Sequence, residues 1–142
     1  MTNEILEGNK LIAEFMGWKK DGQSSYDFSD DRVFRGYLYD RSVSYNYAHE
    51  CFSIFERDLP YHSSWDWLMP VVEKIESIQN NLQYFTVVIK GNKCQVLERR
   101  GNEKIRANFL HHTIKWIEGE TKIDAVWQTI IQFIQWHQTI KK

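Results

Sequence analysis

The sequence predicts an α+β fold in which helices pack on one face of an antiparallel sheet. Apolar residues recur at helical spacing near both ends of the chain, whereas short β-rich runs occupy much of the interior. Two of these runs flank Gly91-Asn92, which is typical of a tight hairpin turn between antiparallel strands. The 142 residues, 42% of them hydrophobic, suffice for one domain, predicted to cover residues 1–142.

A first helix is predicted from about residue 4 to residue 16. Its apolar stripe consists of Leu11, Ile12, Phe15 and Met16. Gly17 follows at the position where a left-handed residue often ends a helix, and Trp18 stands where an apolar residue folds back on the last turn. The next stretch, "KKDGQSS", is predicted to be a turn.

Residues 26–59 are predicted to form two or three strands. The segments that suggest strands are "RVFRGYLYD", "SVSYNY" and "ECFSIFERD". In the second of them, Val43, Tyr45 and Tyr47 fall on one face, because side chains alternate between the two faces of a strand.

A second helix is predicted in "YHSSWDWLMPVVEKIE", residues 61–76. Ser63 and Asp66 resemble a capping box, in which a serine oxygen and a carboxylate bind unpaired backbone N–H groups. The apolar stripe is Trp65, Leu68, Val72, Ile75 and Ile78. Pro70 has no N–H, and its ring clashes with the carbonyl four residues earlier. Two arrangements are compatible with it: a kinked helix from Ser64, or a short turn followed by a helix that starts at Pro70.

The hairpin around Gly91-Asn92 has a predicted register. It pairs Ile89 with Cys94, Val87 with Val96, and Phe85 with Glu98. Residues 103–117 fit either a strand or a helix, and a further hairpin is preferred because their apolar residues alternate.

The last helix has the strongest pattern. Thr121 and Asp124 form another capping pair at its start. Its apolar stripe consists of Ile123, Val126, Trp127, Ile130, Ile134 and His137, broadened by Ile131 and Phe133. Because so wide a stripe needs cover on more than one side, a self-association surface is a further expectation.

Composition excludes several classes of function. The net charge is −1, with 18 basic and 19 acidic residues dispersed along the chain, so nonspecific nucleic-acid binding is not expected. No apolar run approaches the ~20 residues that a membrane span needs. The first residues, "MTNEILEGNK", lack the basic and apolar regions of a signal peptide, and the expected compartment is the cytoplasm.

No motif with catalytic or metal-binding chemistry stands out. Adjacent histidines on a strand point to opposite faces, so His111 and His112 cannot hold one ion there, and neither a metal nor a cofactor is expected. The enzyme question stays open, with a binding protein preferred. The alternative is a small hydrolase or nuclease that uses His62, or His49 with Cys51 on the same strand face.

Three segments resemble a known family. They are "NKLIAEFMGW", "YHSSWDWLMPVVEKIE" and "GETKIDAVWQTIIQFIQWHQ", and together they cover about a third of the chain. They are similar to a family of small uncharacterised proteins associated with phages and with Bacteroidota genomes that carry prophages. The resemblance implies an accessory protein of a phage or mobile element, and it implies no activity and no catalytic residues.

Aromatic residues make up 15% of the chain, which is the one strong deviation in its composition. Tyrosine and tryptophan combine a flat apolar ring with a polar tip, so they suit interfaces and pockets that stack a ring. Trp65 is predicted to be core, and Trp67, off the stripe, is predicted to be an interface or pocket residue. The predicted binding residues are Tyr45, Tyr47, Tyr61, His62 and Trp67, with Arg35 and Arg41 as candidates for a phosphate clamp.

The sequence therefore predicts a non-catalytic accessory protein. Its expected partner is a host protein or a small nucleotide-like ligand with a ring. The other alternative, besides the hydrolase or nuclease, is a structural homo-oligomer that uses the broad face of the last helix.

Overall fold

A computed structural model gives the fold. It describes residues 2–21, 24–28, 42–47, 51–80, 83–100 and 109–140. Within them lie three α-helices and two antiparallel sheets, which confirms the α+β class. The chain divides into two compact units, Met1–Trp67 and Leu68–Lys142. That residues 1–142 form one domain stays a prediction.

The helices and strands have the following bounds, in chain order. The helices are α1 (Asn3–Phe15), α2 (Trp65–Ser77) and α3 (Lys122–Ile140), with a short 3-10 helix at Glu56–Asp58. The first four strands are β1 (Lys19–Asp21), β2 (Ser25–Phe28), β3 (Ser44–Asn46) and β4 (Cys51–Phe55). The other four are β5 (Gln79–Asn80), β6 (Gln83–Lys90), β7 (Lys93–Arg100) and β8 (Phe109–Glu118).

Helix α1 ends as the sequence predicts. Gly17 has a φ of +98°, in the left-handed region that glycine adopts without a steric penalty. The Gly17 N–H donates to the Glu14 carbonyl at 3.1 Å, and the Trp18 N–H donates to the Ala13 carbonyl at 3.0 Å. These two bonds form a Schellman motif. They turn the chain so that Trp18 is buried.

The sheet of the first unit has the strand order β1-β2-β4-β3, and its pairs are antiparallel. The turn predicted for "KKDGQSS" is wrong at its start, because Lys19–Asp21 is strand β1 and pairs with β2. A cross-strand row of rings runs over β3, β4 and β2, where Tyr45 lies opposite Phe52 and Phe52 lies opposite Phe28. The segment "RVFRGYLYD" lies outside the described residues.

Helix α2 begins at Trp65 and continues through Pro70, so the first of the two predicted arrangements is correct in its extent. The capping role predicted for Ser63 is wrong, because Ser63 lies two residues before the helix and its hydroxyl donates to the Pro60 carbonyl at 3.5 Å. The buried side chains of the helix are Trp67, Leu68, Val71, Val72 and Ile75.

The sheet of the second unit has the strand order β5-β6-β7-β8. The predicted hairpin register is confirmed at all three pairs, Ile89–Cys94, Val87–Val96 and Phe85–Glu98. Gly91 has a φ of +59°, as a tight hairpin turn requires. Strand β8 confirms the strand state over Phe109–Glu118, but one continuous strand with register shifts replaces the predicted hairpin there. Residues 101–108 lie outside the described residues.

Helix α3 packs on this sheet. The Thr129 hydroxyl lies 2.7 Å from the Ala125 carbonyl and 3.4 Å from the Cys94 carbonyl of β7. The Phe133 ring lies 5.1 Å from the Phe85 ring in an edge-to-face contact. The helix therefore covers one face of the sheet, and Trp127 is buried as predicted.

The predicted capping pair of α3 is confirmed. The Asp124 N–H donates to the Thr121 hydroxyl at 3.2 Å, and the Asp124 carboxylate accepts from the Glu120 N–H at 3.0 Å. Gly119 sits directly against this turn: a Cβ there would come within 2.5 Å of the Ala125 nitrogen. Only glycine fits this approach without moving the start of the helix.

Candidate binding surface

Trp67 and Tyr61, two of the predicted binding residues, are core residues. Trp67 is 2% exposed, and Tyr61 is fully buried. The Trp67 ring stacks on Trp18 at 6.1 Å and meets Tyr61 edge-to-face at 5.4 Å. The Trp18 indole N–H donates to the Tyr61 hydroxyl at 3.1 Å, so the polar tips also pair inside the unit. The prediction that Trp67 is an interface or pocket residue is therefore wrong.

The prediction for Trp65 is wrong in the opposite sense. Trp65 was predicted to be core and is 36% exposed. At about 100° per residue, Trp65 and Trp67 lie on opposite flanks of the buried stripe of α2, about 90° and 70° from its centre. Their angular positions on the helix therefore do not explain why Trp67 is buried and Trp65 is exposed. The difference arises because Trp18 and Tyr61 cover the flank that bears Trp67.

His62 has a structural partner rather than an open site. Its Nδ1 lies 2.8 Å from the side-chain nitrogen of Asn9, a buried residue of α1. The same Asn9 nitrogen lies 2.8 Å from the Leu59 carbonyl. Burial and, to a lesser extent, the positive amino terminus lower the pKa of His62 below its ordinary value. Its ring therefore favours the neutral form.

Tyr45 and Tyr47 are the predicted residues that remain accessible. Both belong to the region of β3, and their rings meet edge-to-face at 4.8 Å. Tyr45 is 42% exposed and rests on Phe52, 5.0 Å between ring centres, whereas Tyr47 is 86% exposed. We call Tyr45, Tyr47 and Phe52 the β3 aromatic patch. Its base is anchored in the sheet, and its tip projects into solvent.

The two predicted arginines, Arg35 and Arg41, lie outside the described residues, as does His49. The structure therefore leaves the predicted phosphate clamp and the pairing of His49 with Cys51 as predictions. Of that pair, Cys51 is buried, and burial, followed by the Asp27 and Asp21 carboxylates, raises the pKa of its thiol. A raised pKa keeps the sulfur protonated and weakens it as a nucleophile.

A buried tyrosine lies among carboxylates in the first unit. The Tyr26 hydroxyl donates to a Glu14 carboxylate oxygen at 3.5 Å. Burial, then the charges of Glu14 and Glu56, raise the pKa of Tyr26 to about 12. Glu56 is also 3.9 Å from the Lys10 ammonium, which lies 3.3 Å from Glu7. Tyr26 therefore stays protonated near neutral pH and acts as a hydrogen-bond donor.

Sequence reasoning missed a shallow depression in the first unit. It has a volume of about 190 Å³ and is lined by Ser24, Phe55, Glu56 and Arg57. The Arg57 guanidinium lies 5.3 Å from the centre of the exposed Phe55 ring. Strand alternation in the sequence could not signal this contact, because β4 ends at Phe55 and Arg57 lies in the 3-10 helix. The volume is below the roughly 300–1,000 Å³ of ordinary ligand pockets.

Two further tryptophans, one on β8 and one on α3, differ in their exposure to solvent. Trp116 on β8 is 44% exposed, which makes it the exposed tryptophan of the second unit. Trp136 on α3 is half-buried and contacts Phe85 and Phe133, each at 5.8 Å between ring centres. The sequence pattern assigns neither residue to the core or to the surface.

Among the described residues, no group of three or more His, Cys, Asp or Glu side chains is arranged to hold a metal ion. None of the helices that the structure describes is long and apolar enough to cross a membrane.

No protein family matches the sequence, and no curated protein and no solved structure is significantly similar to it.

Proposed function

We propose that the protein is a non-catalytic binding protein that engages another protein through the β3 aromatic patch. The observation that carries this proposal is the exposure of Tyr47, 86%, next to a second tyrosine that is anchored on Phe52. Rigid aromatic side chains with a polar tip offer large contact area at low entropic cost, which is why they dominate binding hot spots.

A protein partner is favoured over a small ring-containing ligand. Small-molecule sites are concave and bury most of the ligand surface. A ring that is 86% exposed is not enclosed by the residues that the structure describes. It can be covered instead by the surface of a protein, where an edge-to-face pair of tyrosines presents both ring and hydroxyl groups.

The expected context is a phage or mobile element, with a host protein as the partner. This rests on the sequence resemblance. The hydrolase or nuclease alternative is less favoured because Cys51 is a poor nucleophile when its pKa is raised, and because the Nδ1 of His62 faces Asn9.

The test compares baits that differ at one side chain. Wild-type protein, Tyr47→Ala and the control Trp116→Ala are each immobilised on a resin and incubated with host extract. The captured proteins are quantified by mass spectrometry. Trp116 is an exposed aromatic residue outside the patch. A true partner is retained by wild type and by the control but is lost at least ~30-fold with Tyr47→Ala, the effect of a hot spot of about 2 kcal/mol.

Equal capture by wild type and Tyr47→Ala would remove the proposal. Two parallel measurements address the alternatives. Light scattering at high concentration tests the homo-oligomer, which a stable monomer excludes. NMR titration with nucleotides tests the ring-containing ligand, which would shift the Tyr45 and Tyr47 signals at submillimolar concentration.

A further inference from the structure

One buried side chain connects α1 to the segment that leads into α2. The side-chain nitrogen of Asn9 lies 2.8 Å from the Leu59 carbonyl and 2.8 Å from the Nδ1 of His62. Asn9 is fully buried, and Leu59 is fully buried as well. The two contacts span 50 and 53 positions of sequence, so they close a long loop of the first unit.

The orientation of the Asn9 amide follows from its two partners. A backbone carbonyl only accepts hydrogen bonds, so the Asn9 atom that faces Leu59 must be the NH₂ group. The same nitrogen faces His62, and its second hydrogen points to the ring. The Nδ1 of His62 must therefore accept. This fixes the neutral tautomer that carries its proton on Nε2.

We propose that Asn9 and His62 form a pH-sensitive latch, which holds residues 59–62 on α1 only while the His62 ring is uncharged. A protonated imidazole has a donor at both nitrogens. Its Nδ1–H would then face the NH₂ of Asn9, donor against donor, at a separation of 2.8 Å. Rotating the amide does not relieve this, because the carbonyl oxygen of Asn9 would then face the Leu59 carbonyl.

Most of the surrounding side-chain charges act against this direction. The charged side chains on the neighbouring elements are Glu4, Glu7, Lys10 and Glu14 on α1, Glu56, Arg57 and Asp58 in the 3-10 helix that packs on α1, and Asp66 in the first turn of α2. Carboxylates would raise the pKa of an imidazole. The pKa of His62 is lowered, so burial and the amino-terminal charge outweigh them.

The sign of the pH effect follows by linkage. Because the pKa of His62 is lower in the folded chain than its ordinary 6.5, the unfolded chain binds the proton more readily. The stabilising contribution of the latch is complete well above pH 6.5. It falls as the pH drops from about 6.5 through the lowered pKa of the folded state. Acid therefore releases the segment.

The segment holds part of the aromatic core, so release has a structural consequence. Tyr61 immediately precedes His62, accepts the hydrogen bond from Trp18 and meets Trp67 edge-to-face. Loosening residues 59–62 removes the support of both tryptophans. The latch thus couples the protonation of one ring to the packing of the first unit.

The first experiment reads the ring directly. Long-range ¹H–¹⁵N NMR of the full chain distinguishes protonated from unprotonated ring nitrogens. At pH 7.5 we expect an unprotonated Nδ1 and a protonated Nε2 at His62, with titration below pH 6.5. A protonated Nδ1 at neutral pH, or titration at or above 6.5, overturns the proposal. This measurement needs no variant and decides the question even if the variants fail to fold.

The second experiment measures the folded-to-unfolded ratio by urea unfolding at pH 7.5 and pH 5. His62→Gln keeps an acceptor for Asn9 but does not titrate, so it should lose less stability in acid than wild type does. Each pKa unit between the two states changes the ratio about tenfold. Asn9→Asp places a carboxylate against the ring and should reverse the sign of the His62 contribution. An identical acid loss in wild type and His62→Gln overturns the proposal.

His112→Gln provides the matched control. The Nδ1 of His112 lies 3.0 Å from the Gln95 side-chain oxygen, an acceptor, so this ring donates in both its neutral and its charged form. The control should therefore keep the acid sensitivity of wild type. If His112→Gln lost the acid sensitivity of wild type, His112 rather than His62 would cause the effect, and the proposal would be overturned.

Discussion

Removing Trp67 should destabilise the protein far more than removing Trp65, although the two residues are neighbours on α2. A tryptophan side chain buries roughly 200 Å², which at about 25 cal/mol per Å² corresponds to about 5 kcal/mol when burial is nearly complete. Trp67 is 2% exposed and also loses its contacts with Trp18 and Tyr61. Trp67→Ala should therefore cost about 4–5 kcal/mol, in the range of other large-to-small core substitutions.

Trp65→Ala is the matched comparison. Trp65 is 36% exposed, and water can occupy the space that it leaves, so its cost should be about 1–2 kcal/mol. Urea unfolding followed by far-UV circular dichroism gives both values, with the slope of the transition checked for constancy. The reasoning is refuted if Trp65→Ala costs as much as Trp67→Ala. That result would mean that the Trp65 and Trp67 side chains are buried to a similar extent.

Two further predictions concern the glycines with positive φ and the reactivity of a buried thiol. Gly17→Ala should cost about 1–3 kcal/mol by thermal or urea unfolding, because φ is +98° and the new Cβ would lie 3.0 Å from the Phe28 ring. Gly91→Ala, with φ +59° and open space around it, should cost about 1 kcal/mol, and an equal loss at both sites would contradict the steric argument. Cys94 should resist Ellman's reagent in the folded protein at pH 8, since burial raises the pKa of its thiol to about 11. Fast labelling of Cys94 without unfolding would show that its strand opens.

The features that the sequence predicted well are those that neighbours along the chain determine. The end of α1 depends on Gly17 and on two hydrogen bonds that reach back three and five residues. The start of α3 depends on Thr121 and Asp124, three residues apart. The hairpin register follows from the two-residue turn at Gly91-Asn92. In each case the deciding contacts are local, so a pattern of residue types suffices to predict them.

The candidate site was predicted less well, because burial depends on contacts between distant residues. Tyr45 and Tyr47 were accessible as expected, but Tyr61 and Trp67 were not. Trp18, about fifty positions before Trp67, supplies the ring that covers it. No periodicity within residues 61–76 contains that information.

By itself, the sequence determined the α+β class, the end of α1, the start of α3 and the hairpin register, since local sterics and hydrogen bonds set these ends and this register. Tertiary structure alone decided the division of the strands into two sheets, the exchange of roles between Trp65 and Trp67, and the pairing of Asn9 with His62. The physical reason is common to the three. Each depends on which distant surfaces meet, and the free energy of that meeting is shared among many residues rather than carried by any one local pattern.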